Sequence, residues 1–320
     1  MEDMQEIQLQ PPATMDTRTY ASIKARQYWF LFREWMIDAF EIEQRKTSLR
    51  AEIFAGYIHF ISCLYILPVI PNQLSAAGYN KDDTIQATAL ATAFGSILSS
   101  YITNLPFVIA PPTAVSIYLA VSLQQMGMSR AQGDAAVILS GCVMLCIGVL
   151  RPLLALISFL IPHCIQASTA AGIGLITALA GAIELGLVVQ GQYTLVEMGP
   201  LTPAIVIATC ATAITALCSH FQYKGALLAG LCFGTLVWWW AEDKWPRSVY
   251  APPHVHVQDI VYVDGNVLTL LFNLLFLYVL TLNGIAKSMA DLAGLTGKDE
   301  SIPRGNWLFL MSGAATILSG

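Results

Sequence analysis

Pro111 and Pro112 stand back to back inside "NLPFVIAPPTAVSIYLAV" (104–121), a stretch otherwise apolar enough to lie in a membrane. Each proline removes an amide donor and clashes with the helical turn before it, and the residue ahead of a proline avoids helical angles. Irregular backbone survives at membrane depth only where protein or a water-filled cavity covers it. The proline pair therefore predicts a span that is extended first and helical second. Leu105 to Ile109, extended at about 3.3 Å per residue, cover roughly 16 Å. Thr113 to Leu123, helical at about 1.5 Å per residue, cover roughly 16 Å more, and together the two pieces cross one bilayer. Such a junction leaves unpaired amides near the midplane, at the positive end of a helix dipole, where a polar or anionic ligand finds donors. Taken alone, the stretch is equally compatible with an ordinary proline-kinked helix.

Composition decides what surrounds it. Of 320 residues, 56% are hydrophobic and 12% charged, with mean hydropathy +0.61, against about a quarter charged in a soluble domain. The expected fold is an all-α polytopic membrane protein. Candidate spans are 52–71, 85–103, 105–123, 133–150, 166–188, 201–219, 224–240 and 266–286, with a ninth beginning near Trp307. With a cytoplasmic N-terminus, twelve of the 16 Lys and Arg fall inside and four (Lys81, Arg130, Lys244, Arg247) outside, although seven of the twelve belong to the N-terminal segment. That excess sets the expected orientation, and the plasma membrane is the expected residence. Residues 1–50 mix basic and aromatic side chains before any span begins, as an interfacial helix does; a partly ordered tail is the alternative. The segment 151–161 is too short to span. The loop 241–265 is read as extracellular; its His254 and His256 alternate about Val255 but have no third ligand at a metal-binding spacing.

Other chemistry is thinly represented. The seven cysteines form no ligand spacing and read as reduced packing residues. No Gly-rich phosphate loop, metal-spaced His/Cys cluster or nucleophile with an ordered base is present, so neither an enzyme, a cofactor nor a nucleic-acid partner is expected. A weak internal echo joins "ALATAFGSILSS" (89–100) to "MSGAATILSG" (311–320). Discontinuous spans in transporters usually come in pairs, from inverted repeats that face each other.

Several ordered blocks carry a resemblance: "YILPVIP" (65–71), "ATALATAFGSILSSYITNLPF" (87–107) followed by "IAPPTAVSIYLA" (109–120), "AGIGLITALAG" (171–181) and "KGALLAGL" (224–231). They resemble the AzgA-like purine permeases of the nucleobase/ascorbate transporter superfamily. The resemblance implies a fourteen-span fold of seven plus seven inverted repeats, divided into core and gate domains, with strand-plus-half-helix segments in the third and tenth spans around the substrate. It implies purine import in symport with protons. By that count 51–150 hold core spans one to four, 151–240 gate spans five to seven, and 266–320 span eight with part of a ninth; the tenth is lacking. The implied partners are a nucleobase and the bilayer, with a homodimer as a further expectation.

The site implied by the resemblance comprises Ile109, Ala110, Thr113, Ser116, Tyr278, Thr281 and His59, with Pro111, Pro112 and Gly284 as backbone breaks. Here the sequence departs from its relatives. Ser116 stands where the family pattern offers an asparagine, and Tyr278 and Thr281 stand where the eighth-span motif carries two acids. Hydroxyls hydrogen-bond but do not titrate near neutral pH as a buried carboxylate does, so purine specificity and proton coupling transfer weakly. His59 precedes Pro71 at a spacing similar to a first-span histidine of the wider superfamily, although Ile58 replaces the usual glutamine before it. Isolated, it reads as a packing residue. Glu184 faces the gate or snorkels at a span end. Asn273 and Asn283 bridge helices or touch substrate, and Lys287 with Asp291 form a local ion pair. Two rivals remain: the same fold carrying an anion, and a transport-dead or truncated membrane protein with a binding or regulatory role.

Overall fold

A computed structural model describes residues 17–320 except 106, 151, 155, 157–160, 190, 192–193, 195, 224, 244–263, 293 and 295–303. The readings of His254 and His256, and most of those for 151–161 and 241–265, lie outside the described residues. The chain divides into two compact units, Met1–Tyr57 and Ile58–Gly320.

In the first unit α1 (Thr17–Ala39) is a 23-residue helix. Beyond it, Glu41 and Lys46 take positive φ angles (53° and 56°) and interrupt the helix before α2 (Leu49–Cys63).

The second unit continues with α3 (Ile66–Ser75), α4 (Lys81–Thr103), α5 (Thr113–Met126), α6 (Arg130–Val149), α7 (His163–Glu184), a hairpin of β1 (Val188–Val189) and β2 (Glu197–Met198), then α8 (Pro203–His220), α9 (Ala226–Glu242), α10 (Gly265–Leu292) and α11 (Gly305–Ser319). All nine expected spans have helical counterparts. Five segments, Leu49–Ser75, α4, α6, α8 and α10, are long and apolar enough to cross a membrane. Among the described residues the regular structure is helical save the two-residue strands, which the sequence reading did not anticipate.

Two boundaries differ from expectation, each for a physical reason. The first span breaks at Leu64 and Tyr65, between α2 and α3. Pro68 has no amide to offer the Leu64 carbonyl four residues back, and its ring crowds that carbonyl. The eighth span, by contrast, is not broken at Gly284: α10 runs through that residue, which is buried. Glycine keeps its N–H, so the helical ladder survives it, and only some conformational entropy is lost.

Helix ends are set locally. The Asn80 side chain accepts from the Asp82 amide at 3.1 Å, and Asp82 and Asp83 place negative charge on the positive end of α4. Ser129 and Gln132 close a reciprocal capping box at the start of α6. Between α3 and α4, Tyr79 donates to Asp134 at the start of α6 at 2.7 Å. Burial, and then the Asp134 carboxylate, push its phenol above the ordinary range, so it stays protonated as the donor.

Packing is dominated by α6, α11, α4 and α10. A Cβ added at Gly141 would lie 2.9 Å from the Gly313 carbonyl, and one at Gly313 would lie 2.8 Å from the Leu145 amide. One at Gly148 would lie 2.7 Å from the Leu310 amide. Backbone meets backbone along this seam, as small residues permit in membrane helices. A separate apolar layer joins Ile70 and Leu74 of α3, Leu119 and Leu123 of α5, and Leu270 and Leu274 of α10. Helices α8 and α9 pack chiefly on each other.

Candidate functional site

The proline pair does what its chemistry requires. Among the described residues from Asn104 to Pro112 there is no helix and no strand ladder, and Pro112 is extended (φ −70°, ψ 130°) as the residue ahead of α5. The expected strand is therefore irregular extended backbone, because no neighbouring strand pairs with it among the described residues. Its polar groups are met by side chains of α4 instead. The Ser96 hydroxyl accepts the Ile109 amide at 3.1 Å and also lies 3.4 Å from the Ile109 carbonyl. Thr103 accepts the Leu105 amide at 3.3 Å while donating to Ser99 at 2.7 Å, and Asn104 turns the chain in the left-handed region (φ 54°). This is the side-chain substitution for lost ladder bonds that broken backbone needs inside an apolar environment.

Where the extended piece meets the half-helix, a cavity of about 300 Å³ opens. Its wall includes Ile109, Ala110, Pro111, Pro112 and Thr113 from the broken span, His59 from α2, and Tyr278 and Thr281 from α10. Two expected residues stand elsewhere. Ser116 is buried one turn along α5, its hydroxyl directed to the Pro112 carbonyl at 3.4 Å, and it does not line the cavity. Gly284 is likewise absent from the wall. Of the other polar residues considered, Asn283 donates to the Val279 carbonyl of its own helix at 3.0 Å, and Glu184 is exposed at the end of α7.

The structure adds groups that the sequence reading passed over. Thr177 of α7 lies 3.2 Å from Thr113, hydroxyl to hydroxyl. Thr177 directs its own proton to the Ile173 carbonyl at 2.8 Å, so Thr113 is the donor of the pair. Ser312, Thr316 and Ser319 of α11 also line the cavity. Their i, i+4, i+7 spacing was the available signal, since it sets three hydroxyls on one helical face. Phe107, Tyr65 and Tyr278 supply aromatic surface.

The electrostatics are those of a neutral site with directed dipoles. None of the lining residues is Asp, Glu, Lys or Arg. Val115 and Ser116 bond back to the Pro112 carbonyl at 3.0 and 3.2 Å, whereas the amides of Thr113 and Ala114 open the helix with no carbonyl behind them. Thr281 is 5% exposed, and its hydroxyl has no hydrogen-bond partner among the described residues. The buried side-chain polar atoms without a partner among the described residues are Gln73 Oε1 and Thr92 Oγ1, whereas Thr281 stands on the cavity wall, where a ligand can reach its hydroxyl. The arrangement can thus orient a small polar molecule by hydrogen bonds and aromatic contact, without a formal counter-charge.

Comparison with known proteins gives the family. The Permease family model matches residues 50–320. Similar proteins include the adenine permease AdeP of Escherichia coli, 27% identical over 83% of this chain and 61% of that protein. The guanine/hypoxanthine permease PbuO of Bacillus subtilis is 26% identical over 87% of this chain and 67% of that protein. The nucleobase transporter PlAzg2 of Paenibacillus larvae is 29% identical over 59% of this chain and 38% of that protein. The chain spans about three-fifths to two-thirds of the length of the first two.

Proposed function

The chain belongs to the Permease family, and from that premise we propose that it carries a purine nucleobase, or a similar small neutral heterocycle, across a membrane through the cavity at the broken span. The family consists of permeases, so the chain is an integral, multi-pass membrane protein and not an enzyme. The observation that carries the substrate reading is the cavity wall: hydroxyls, one imidazole, aromatic rings and open half-helix amides, with no formal charge. A volume of about 300 Å³ stands at the small end of ligand pockets. Planar rings stack on aromatic faces, and a nucleobase edge offers both donors and acceptors to hydroxyls and amides. Relatives named for adenine, guanine and hypoxanthine support the same class.

In this reading Thr113, Thr281, Tyr278 and the backbone of Ile109 and Ala110 meet the substrate, while Pro111 and Pro112 hold the backbone open. Ser116 orients the Pro112 carbonyl. Proton symport is the coupling mode, and His59 on the cavity wall meets the substrate with the others. Residues 51–150 and 266–320 form the core and 151–240 the gate, the plasma membrane is the site of action and the N-terminus is cytoplasmic.

The repeat reading has support of its own. Aligning "SILSS" (96–100) with "TILSG" (316–320) makes Gly95 and Ala315 equivalent positions, and a Cβ added at Gly95 would lie 2.8 Å from that of Ala315. Equivalent residues that touch are what a two-fold relation between repeats produces.

The test is uptake of labelled adenine, guanine and hypoxanthine into cells that lack their own purine permeases, with and without a proton ionophore. Saturable uptake of at least one base, lowered by the ionophore, is the expected result. Uptake that ignores all three bases and follows sulfate or chloride would replace the reading with anion carriage. Correct membrane insertion with neither activity would replace it with a binding role.

A further inference from the structure

Helix α1 carries a surface that the transport reading leaves unused. Successive helical residues turn by ~100°, which sets Tyr28, Trp29, Phe32, Trp35 and Met36 within an arc of roughly 120°. Trp29 and Phe32 have ring centroids 6.0 Å apart, and Phe32 and Trp35 5.9 Å apart, so the arc is a continuous aromatic ladder. Its members Tyr28, Trp29, Phe32 and Trp35 are 49–61% exposed.

Charge is arranged around that ladder. On the same projection Lys24 falls on one flank, with Asp38 ~40° beyond it, and Arg26 and Arg33 fall on the other, where Arg33 pairs with Glu34 at 3.4 Å. Lys24 lies 6.0 Å above the Tyr28 ring. No acidic residue occurs between Thr17 and Arg33. Long basic side chains flanking an aromatic stripe place rings at the acyl boundary and cations among headgroups. The tether adds a constraint that does not depend on packing. Residues 40–48 join α1 to Leu49, where the first membrane-crossing segment begins, and nine residues reach at most about 30 Å. The C-terminal end of α1 therefore stays within that reach of the first span.

We infer that α1 is an interfacial helix that binds the anionic headgroups of the bilayer in which the chain is inserted, through the Trp29–Phe32–Trp35 ladder flanked by Lys24, Arg26 and Arg33. The aromatic ladder supplies the insertion energy and the three cations supply the preference for anionic lipid.

Hydrogen exchange of the full chain tests this in nanodiscs of phosphatidylcholine alone and of phosphatidylcholine mixed with phosphatidylglycerol, with the α4 and α6 amides as a folding control. The expected result is exchange in residues 27–39 slowed roughly tenfold by the anionic lipid. That difference disappears in a K24Q/R26Q/R33Q variant, and protection in both discs falls in a W29S/F32S/W35S variant. Equal exchange in the two kinds of disc overturns the inference, and so does protection that survives loss of the ladder, as expected of a helix docked on protein.

Discussion

Two pairs of helices with similar apolar composition are packed in opposite ways. In the α6–α11 pair, Gly141, Gly148 and Gly313 let one backbone rest on the other, and Ala136, Ser140 and Met144 line the face of α6 at 0–1% exposure. In the α8–α9 pair only Ile205 and Gly230 are buried, while Leu217, Leu236 and Trp240 stand 53–78% exposed. Both pairs bring a glycine against a neighbouring backbone, since a Cβ added at Gly230 would lie 2.8 Å from the Ala211 carbonyl, so the difference lies in how many further helices cover the pair. Helices α6 and α11 also rest on α4 and α10, whereas large apolar residues all round α8 and α9 leave their outer faces for another apolar surface.

The hardest test of that contrast is to put bulk into the seam. Gly313→Leu sets carbon against the Leu145 amide and the Gly141 carbonyl, neither of which can move alone. A loss of about 3 kcal/mol or more is expected, seen as absence of a monodisperse peak in detergent and a collapsed apparent Tm. Should Gly313→Leu melt like the native chain, the seam would not be the rigid element.

Ser96→Ala should come next. It strips the acceptor from the Ile109 amide beside the cavity, at a cost of about 1–3 kcal/mol. Thermal unfolding would register it, and Ser96→Thr, which keeps a hydroxyl, should recover most of the loss.

Thr281→Val separates the site from the scaffold. Its hydroxyl has no partner among the described residues, so the apparent Tm should hold while nucleobase affinity in an uptake assay falls about tenfold, near 1.4 kcal/mol. A lowered Tm with unchanged affinity would move Thr281 from the site to the framework. Smallest of all is Trp240→Leu in the α8–α9 pair, within about 0.5 kcal/mol. Were it as damaging as Gly313→Leu, the two regions would be packed alike and the comparison would fail.

How far the sequence carried depended on whether a residue's effect is local. Pro111 and Pro112 act on their own backbone, so the broken span was readable, and the run lengths of apolar residues located a helix for each expected span. Pro68 also acts locally, on the Leu64 carbonyl, and the break in the first span could have been drawn from it. Thr177 and Ser96 could not be assigned that way. Their roles arise only when α7 and α4 come to rest beside the broken span, and nothing near residue 177 or 96 announces that neighbour. Gly284 went wrong for a related reason: a glycine permits a break but does not compel one, and the packing around α10 kept the helix whole. Ser116 was placed by likeness to a motif, while the turn of α5 carries its hydroxyl toward Pro112 rather than into the cavity.

The absence of formal charge from the cavity wall has an electrical consequence. On the proposed reading, a neutral solute crossing beside a wall that holds no Asp, Glu, Lys or Arg moves no charge of its own. Any current recorded during uptake then belongs to the coupling ion alone, and charge moved per molecule of substrate would count those ions directly.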